Sequence, residues 1–324
     1  MNRCSIHEKD RHLRVISDIA GIDVPPRIQR NQPRKIALIP IHNVQLLKQM
    51  DLTLPALQRS ANEMRIDIIR MLHAAGSGHP GGSLSLIDIL TVLFFRYVKR
   101  SPDNVADPDR HRFVLSKGHG VPALYAVLAR SGVIPHEDLL TLRKVDSYLQ
   151  GHPHNRSLPA VEASTGSLGQ GLSIAQGMAM TAKLDGKPYK VYCVTGDGET
   201  QEGQTWEALL SAAHFKLDNL IVLLDYNKGQ IDGPTNDILN LEPLAAKLQA
   251  FNWDVQEIDG HDIGAIDAAL TRAQEEAGKP HYIIAHTVKG KGVSFMEHPT
   301  EWHGKAPNNA EADAAIKEIE ALLT

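Results

Sequence analysis

Asp197 stands between Gly196 and Gly198 directly after the apolar run VYCVT, and Asn227 follows a second apolar run, NLIVLLDY, 30 positions further on. That separation suits neighbouring strands joined by one helix and two turns, so both residues would sit at the carboxyl ends of strands. A carboxylate and an amide oxygen there, with a nearby backbone carbonyl, make part of an octahedral Mg²⁺ shell. Mg²⁺ takes few protein ligands and fills its other positions with phosphate oxygens and water. The flanking glycines predict an exposed Asp197 oxygen with little steric cover. The same residues also read as a tight turn and a helix cap. A metal held this way implies a diphosphate. The stretch ASTGSLGQGLS, residues 163–173, places Gly166, Gly169 and Gly171 just ahead of a helical segment. Backbone N–H groups there can approach phosphate, and a helix N-terminus favours anions.

The chain has 16 histidines, and several recur in glycine-rich contexts: His79 in GHPGG, His119 in KGHG, His152 in QGHP and His303 in WHG. In loops sharing one polar cleft, these imidazoles could donate to phosphate or substrate hydroxyls and relay protons near neutral pH. A zinc site is the competing idea, but no HxxxH or CxxC spacing supports it.

Elements that could position these residues alternate along the chain. Residues 57–75 carry Leu57, Ala61, Met64, Ile68, Met71 and Leu72 on one helical stripe. GSGHPGGS breaks it, and a second helix is expected over 84–98, capped by Ser83 or Ser85. Further helices are expected over 119–132, 173–184, 203–215, 241–251, 263–278 and 310–324. KVYCVT, NLIVLLDY and HYIIAHTV read as buried strands, and WDVQEID as an amphipathic one. Such alternation predicts an α/β fold with a doubly wound, mostly parallel sheet. Ligands of such sheets lie beyond the carboxyl ends of the strands, where GDG, YNKG and TVKGKG fall. Residues 1–50 lack periodicity and are expected to be a disordered or non-native extension, leaving 51–324 as the ligand-binding domain.

Composition narrows the class. A net charge of −4 gives no basic field for nucleic acid, and no apolar run approaches the roughly 20 residues of a membrane helix. The N-terminus has no apolar leader. Of the two cysteines, Cys193 sits in an apolar strand and reads as a buried thiol, so a cytoplasmic setting is expected.

Taken in order, SGHPGGS, LSKGHG, GHP, STGSLGQG, GDGETQEG, YNKGQIDG and WHGKAP resemble the N-terminal half of transketolase over roughly residues 57–310. The resemblance implies the thiamine-diphosphate-binding fold, with thiamine diphosphate and Mg²⁺ (or Ca²⁺ or Mn²⁺) as cofactors. It implies that Asp197, Asn227 and the Gly229 carbonyl hold the metal. Gly198, Asn227, His119 and His303 would touch the diphosphate. Gly166, Ser167 and Leu168 would line the cofactor, with Leu168 and Ile231 packing on its rings. His79, His152 and His303 would be catalytic, the first two facing the sugar. Glu202 would lie at an intersubunit contact linking paired sites. Gly229 departs from the family pattern, where an aliphatic residue is common, which predicts a more flexible loop there.

Transketolases carry a second, pyrimidine-binding domain whose glutamate helps ionise the cofactor, and this sequence stops at Thr324 without one. The expectation is therefore an N-terminal subunit that needs a separate C-terminal subunit, in an assembly of two of each chain. It would transfer a two-carbon ketol unit from a ketose (phosphate) to an aldose (phosphate). A 2-oxo acid dehydrogenase E1 alpha chain shares GDG…N, but would not be expected to show SGHPGGS, LSKGHG and WHGKAP together. Deoxyxylulose-phosphate synthase is normally one long chain. A transketolase for an unusual sugar and a non-catalytic binding module are further alternatives. A Rossmann dehydrogenase is disfavoured because no GxGxxG follows the first strand.

Overall fold

The computed structural model describes residues 53–275, 278–297 and 300–323. The expected extension over 1–50 lies outside the described residues. Helices α1 (Leu54–Ala75), α2 (Pro80–Leu84) and α3 (Ile87–Val92) lead through a π-helical turn, Leu93–Val98, to strand β1 (Arg112–Leu115) and helix α4 (Val121–Arg130). Helix α5 (Gln170–Leu184), strand β2 (Val191–Gly196), α6 (Asp197–Thr200), α7 (Gly203–His214) and β3 (Leu220–Tyr226) follow. A two-residue pairing of β4 (Gly229–Gln230) with β5 (Gly233–Pro234) precedes α8 (Thr235–Ile238) and α9 (Leu244–Ala250). Strand β6 (Asp254–Asp259), α10 (Ile263–Glu275), β7 (His281–His286) and α11 (Asn309–Ala321) complete the order.

The five long strands form one fully parallel sheet in the order β1-β2-β3-β7-β6. This is the expected doubly wound α/β architecture. Alternation along β2 shows how it is built. Tyr192 and Val194 face a core shared with α1, α3, α4, α10 and α11, while Val191 and Cys193 face one shared with α5, α7 and α9. With both faces covered, β2 and β3 are buried throughout, as the unbroken apolar runs predicted. Strand β6, at the sheet edge, is only partly buried, as its amphipathic sequence predicted. Cys193 is fully buried, and burial raises its thiol pKa well above the ordinary value.

Three local expectations are corrected. The helix expected over 84–98 is broken into α2, α3 and the π-helical turn. Neither serine caps it: Ser83 Oγ donates to the His79 carbonyl at 2.7 Å, and Ser85 Oγ donates to Asp225 Oδ2 at 2.6 Å. The helix expected from 241 begins at Leu244 because Pro243 is extended and disfavours helix before it. Helix α5 starts at Gln170 rather than 173, with Gly169 in the left-handed region at φ 82°. No helix among the described residues is long and apolar enough to cross a membrane.

Candidate functional site

Register brings the two strand ends together. Gly196 of β2 pairs with Asp225 of β3, so Asp197 and Asn227 emerge side by side at the carboxyl edge. The backbone N–H of Lys228 donates to Asp197 Oδ2, and that of Gly198 donates to Oδ1 at 2.8 Å. The expectation of an exposed oxygen is corrected: Asp197 is 2% exposed because α6 begins at it and folds over it. Burial, then the neighbouring Asp225 charge, raises its pKa to about 6. Asn227 Oδ1 accepts from Gly229 N–H at 3.1 Å, and the Gly229 carbonyl accepts from Lys289 Nζ at 2.9 Å.

These groups line a cavity of about 200 Å³ together with His119, Leu168, Gly198, Glu202, Ile231, Lys289 and His303. Ile231 is 69% exposed, an apolar side chain open at the cavity's edge. His79, His119, His152 and His303 converge. His79 lies 5.3 Å from His119, 5.5 Å from His303 and 6.2 Å from His152, between ring centroids. His119 and His303 are 5.1 Å apart. His152 packs against Gly166, whose φ of +130° few side chains adopt. Ser167, next on the same loop, is exposed.

All four imidazoles are held neutral. Burial, then the Arg143 charge, lowers His79 to about 4. Burial, then Lys289, lowers His303 to about 3. His119 falls well below its ordinary value and His152 falls too, burial leading in both. Lys289 Nζ lies 2.8 Å from His303 Nδ1, and its ammonium donates, so the His303 proton resides on Nε2. Burial, then Lys117, lowers Lys289 to about 8, which leaves it mostly charged at neutral pH.

Three buried side chains that hold the site were not singled out from the sequence. Asp225, fully buried, accepts from Lys117 Nζ, Thr287 Oγ1 and Ser85 Oγ. Lys117 also donates to the Gly82 carbonyl at 3.1 Å. Glu199 accepts from Ser116 Oγ at 2.5 Å, Gly169 N–H at 3.0 Å and Gly196 N–H at 3.1 Å. It thereby ties the glycine-rich loop to the end of β2. The available signal was an acid or lysine beside an apolar run, as in LLDY and LSKG.

The residues present fit a diphosphate and a hard divalent cation. One carboxylate, one amide oxygen and one carbonyl match the sparse oxygen set Mg²⁺ prefers. Among the described residues no group of three or more His, Cys, Asp or Glu is placed to hold a metal ion. Gln230 Oε1 and His79 Nδ1 are buried without partners among the described residues, as groups awaiting a ligand would be. A Cβ at Gly198 would lie 3.1 Å from Gln230 Cβ, so the glycine keeps this wall open.

Fold and cleft together define an α/β ligand-binding domain with a polar site at the carboxyl edge of a parallel sheet. The family described as transketolase, thiamine diphosphate binding domain, matches residues 56–320. An apulose-4-phosphate transketolase subunit from Actinobacillus succinogenes is 43% identical over 270 residues, covering 83% of this chain and 98% of that protein. The 6-deoxy-6-sulfo-D-fructose transketolase subunit SqwG of Clostridium sp. (strain MSTE9) is 46% identical over 264 residues, covering 82% and 96%. A crystal structure of transketolase from Campylobacter jejuni matches with a TM-score of 0.78 at 36% identity, covering 83% of this chain and 43% of that one. The chain thus spans less than half the length of that solved transketolase. It belongs to the transketolase family, as a thiamine diphosphate-binding domain.

Proposed function

We propose that this chain is the cofactor-diphosphate-binding subunit of a split, Mg²⁺-dependent transketolase. It would act with a second chain that carries the pyrimidine-binding domain, as two copies of each. Residues 51–324 form the binding domain. The observation that carries this reading is one of length. The chain covers 98% of a relative whose name makes it one subunit of a transketolase, yet only 43% of a solved transketolase.

When bound, thiamine diphosphate supplies a nucleophilic carbon that takes up and hands on a two-carbon ketol unit. This chain's residues bind and orient. Asp197, Asn227 and the Gly229 carbonyl hold the cation, with Lys289 sharing that carbonyl. Gly198, His119 and His303 address the diphosphate, and Gly166, Ser167, Leu168 and Ile231 line the cofactor. His79 and His152 face the sugar, and neutral rings can both donate and accept protons there. His303 donates from Nε2. Glu202, exposed at the cavity edge, contacts a neighbouring subunit. Donor and acceptor are a ketose and an aldose, normally phosphorylated, in a cytoplasmic pathway such as pentose phosphate metabolism. A second reading, an unusual sugar, is favoured by the relatives named for apulose-4-phosphate and 6-deoxy-6-sulfo-D-fructose.

The test mixes the purified chain, thiamine diphosphate and Mg²⁺ with the pyrimidine-domain chain and follows ketol transfer across phosphorylated, branched and sulfonated ketoses. Transfer that needs both chains is expected. Full turnover by this chain alone, or none with any ketose, overturns the reading.

A further inference from the structure

At the other end of the sheet, where β1 and β2 begin, three guanidinium groups crowd one carboxylate. Arg100 and Arg110 donate to Glu162 at 2.5 and 2.7 Å, and Arg112 Nε lies 4.0 Å from it. Arg100 is 2% exposed in its side chain and Glu162 5%. Hydrogen bonding shows the same shortage of acceptors: Arg100 Nη1 and Arg110 Nε are buried without a partner among the described residues. Buried polar groups are otherwise almost always paired.

Beside them opens a cavity of about 340 Å³, lined in part by Arg96, Lys99, Arg110 and His111. His111 Nδ1 accepts from the Lys190 backbone N–H at 3.0 Å, which places the ring proton on Nε2 as a further donor. Arg96 is paired with Asp267 at 3.2 Å, and Asp109 with Lys187 at 2.8 Å. The Lys99 ammonium has no partner among the described residues, and Asp107 is the one carboxylate in the wall not engaged by a cation. Taken with Arg100, Arg112 and Glu162, which adjoin the cavity through Arg110 without lining it, the lining Arg110, Lys99 and Asp107 leave an excess of two positive charges. Water can satisfy the spare N–H groups but cannot neutralise that charge; a dianion does both.

We propose that this cavity binds a phosphate dianion, free or as the monoester of a small metabolite. Forked guanidinium donors match phosphate oxygens, and the volume suits a phosphate with a short carbon skeleton. The site is separate from the cleft by the length of β2, roughly 20 Å for six residues.

Calorimetric titration of the full chain with inorganic phosphate, and separately with glycerol 3-phosphate, tests this. Lys99 is exposed and left-handed at φ 49°, so Lys99→Asn keeps the backbone while removing the charge. Lys99→Asn and Arg110→Met should each weaken phosphate binding at least about tenfold. Lys99→Asn should leave thiamine diphosphate binding and turnover unchanged, and Lys289→Met in the cleft should leave the phosphate titration unchanged. Tighter binding of the ester assigns the cavity to phosphorylated metabolites, and equal binding to free phosphate. Undiminished phosphate affinity in folded Lys99→Asn, or its loss in Lys289→Met, overturns the proposal.

Discussion

Lys117 and Asp225, 1% and 0% exposed in their side chains, form an ion pair at the carboxyl ends of β1 and β3, directly beneath the cleft. Removing one partner of such a pair strands a buried charge. Lys117→Met should therefore cost about 3–5 kcal/mol of stability, measured by urea denaturation. A loss under about 1 kcal/mol would mean that water reaches Asp225.

Asp197 titrates unusually high, and the sign of its effect follows. An acid whose folded pKa is raised to about 6 stabilises the metal-free fold most below the ordinary value of 3.8, and that contribution fades as pH rises through 6. Asp197→Asn does not titrate. Between pH 4 and 7, metal-free stability should shift in favour of Asp197→Asn by up to about 3 kcal/mol. A stability gap that stays constant with pH would show that Asp197 is ionised throughout.

The same substitution should weaken Mg²⁺-dependent thiamine diphosphate binding by about 3 kcal/mol, roughly a hundredfold. Calorimetry of the two-chain complex checks it. Unchanged affinity would remove the metal from Asp197 and with it the basis of the proposed function.

Gly166→Ala should strain a backbone at φ +130° and drive a Cβ to 2.8 Å from His152 Cδ2. The expected cost is about 1–3 kcal/mol in stability, together with weaker cofactor binding as His152 is displaced. Wild-type melting and wild-type affinity together would show that the loop relaxes freely.

His261 bridges two elements: Nδ1 lies 2.7 Å from Asp88 Oδ2, and Nε2 accepts from Val288 N–H at 2.8 Å. His261→Leu leaves that N–H without an acceptor, at about 1–3 kcal/mol. Amide exchange at Val288 and Lys289 should quicken. Exchange that is unaltered there would mean the segment holds itself.

Much of this was legible in the sequence because one cause acted at one place. Central strands read as apolar runs since both sheet faces are covered, and the site motifs fell at strand ends because a parallel sheet puts them there. Strand β1 was missed: Arg112–Leu115 is four residues long and adjoins charged ones, so no periodicity develops. Asp225 was hidden for another reason. Its partners Lys117, Ser85 and Thr287 lie 108, 140 and 62 residues away, and only folding chooses them. Of the two serines read as helix caps, Ser85 was claimed by this distant partner, while Ser83 donates to the nearby His79 carbonyl.

Glu199 bears on how the loop carrying Gly169 could be re-engineered. Its carboxylate is anchored to Ser116 and Gly196 as well as to that loop. Transplanting the 163–169 segment between relatives to change sugar preference would sever a brace rooted in β1 and β2. Such grafts should carry Ser116 and Glu199 along, because the unit of exchange here is a three-point joint rather than a loop.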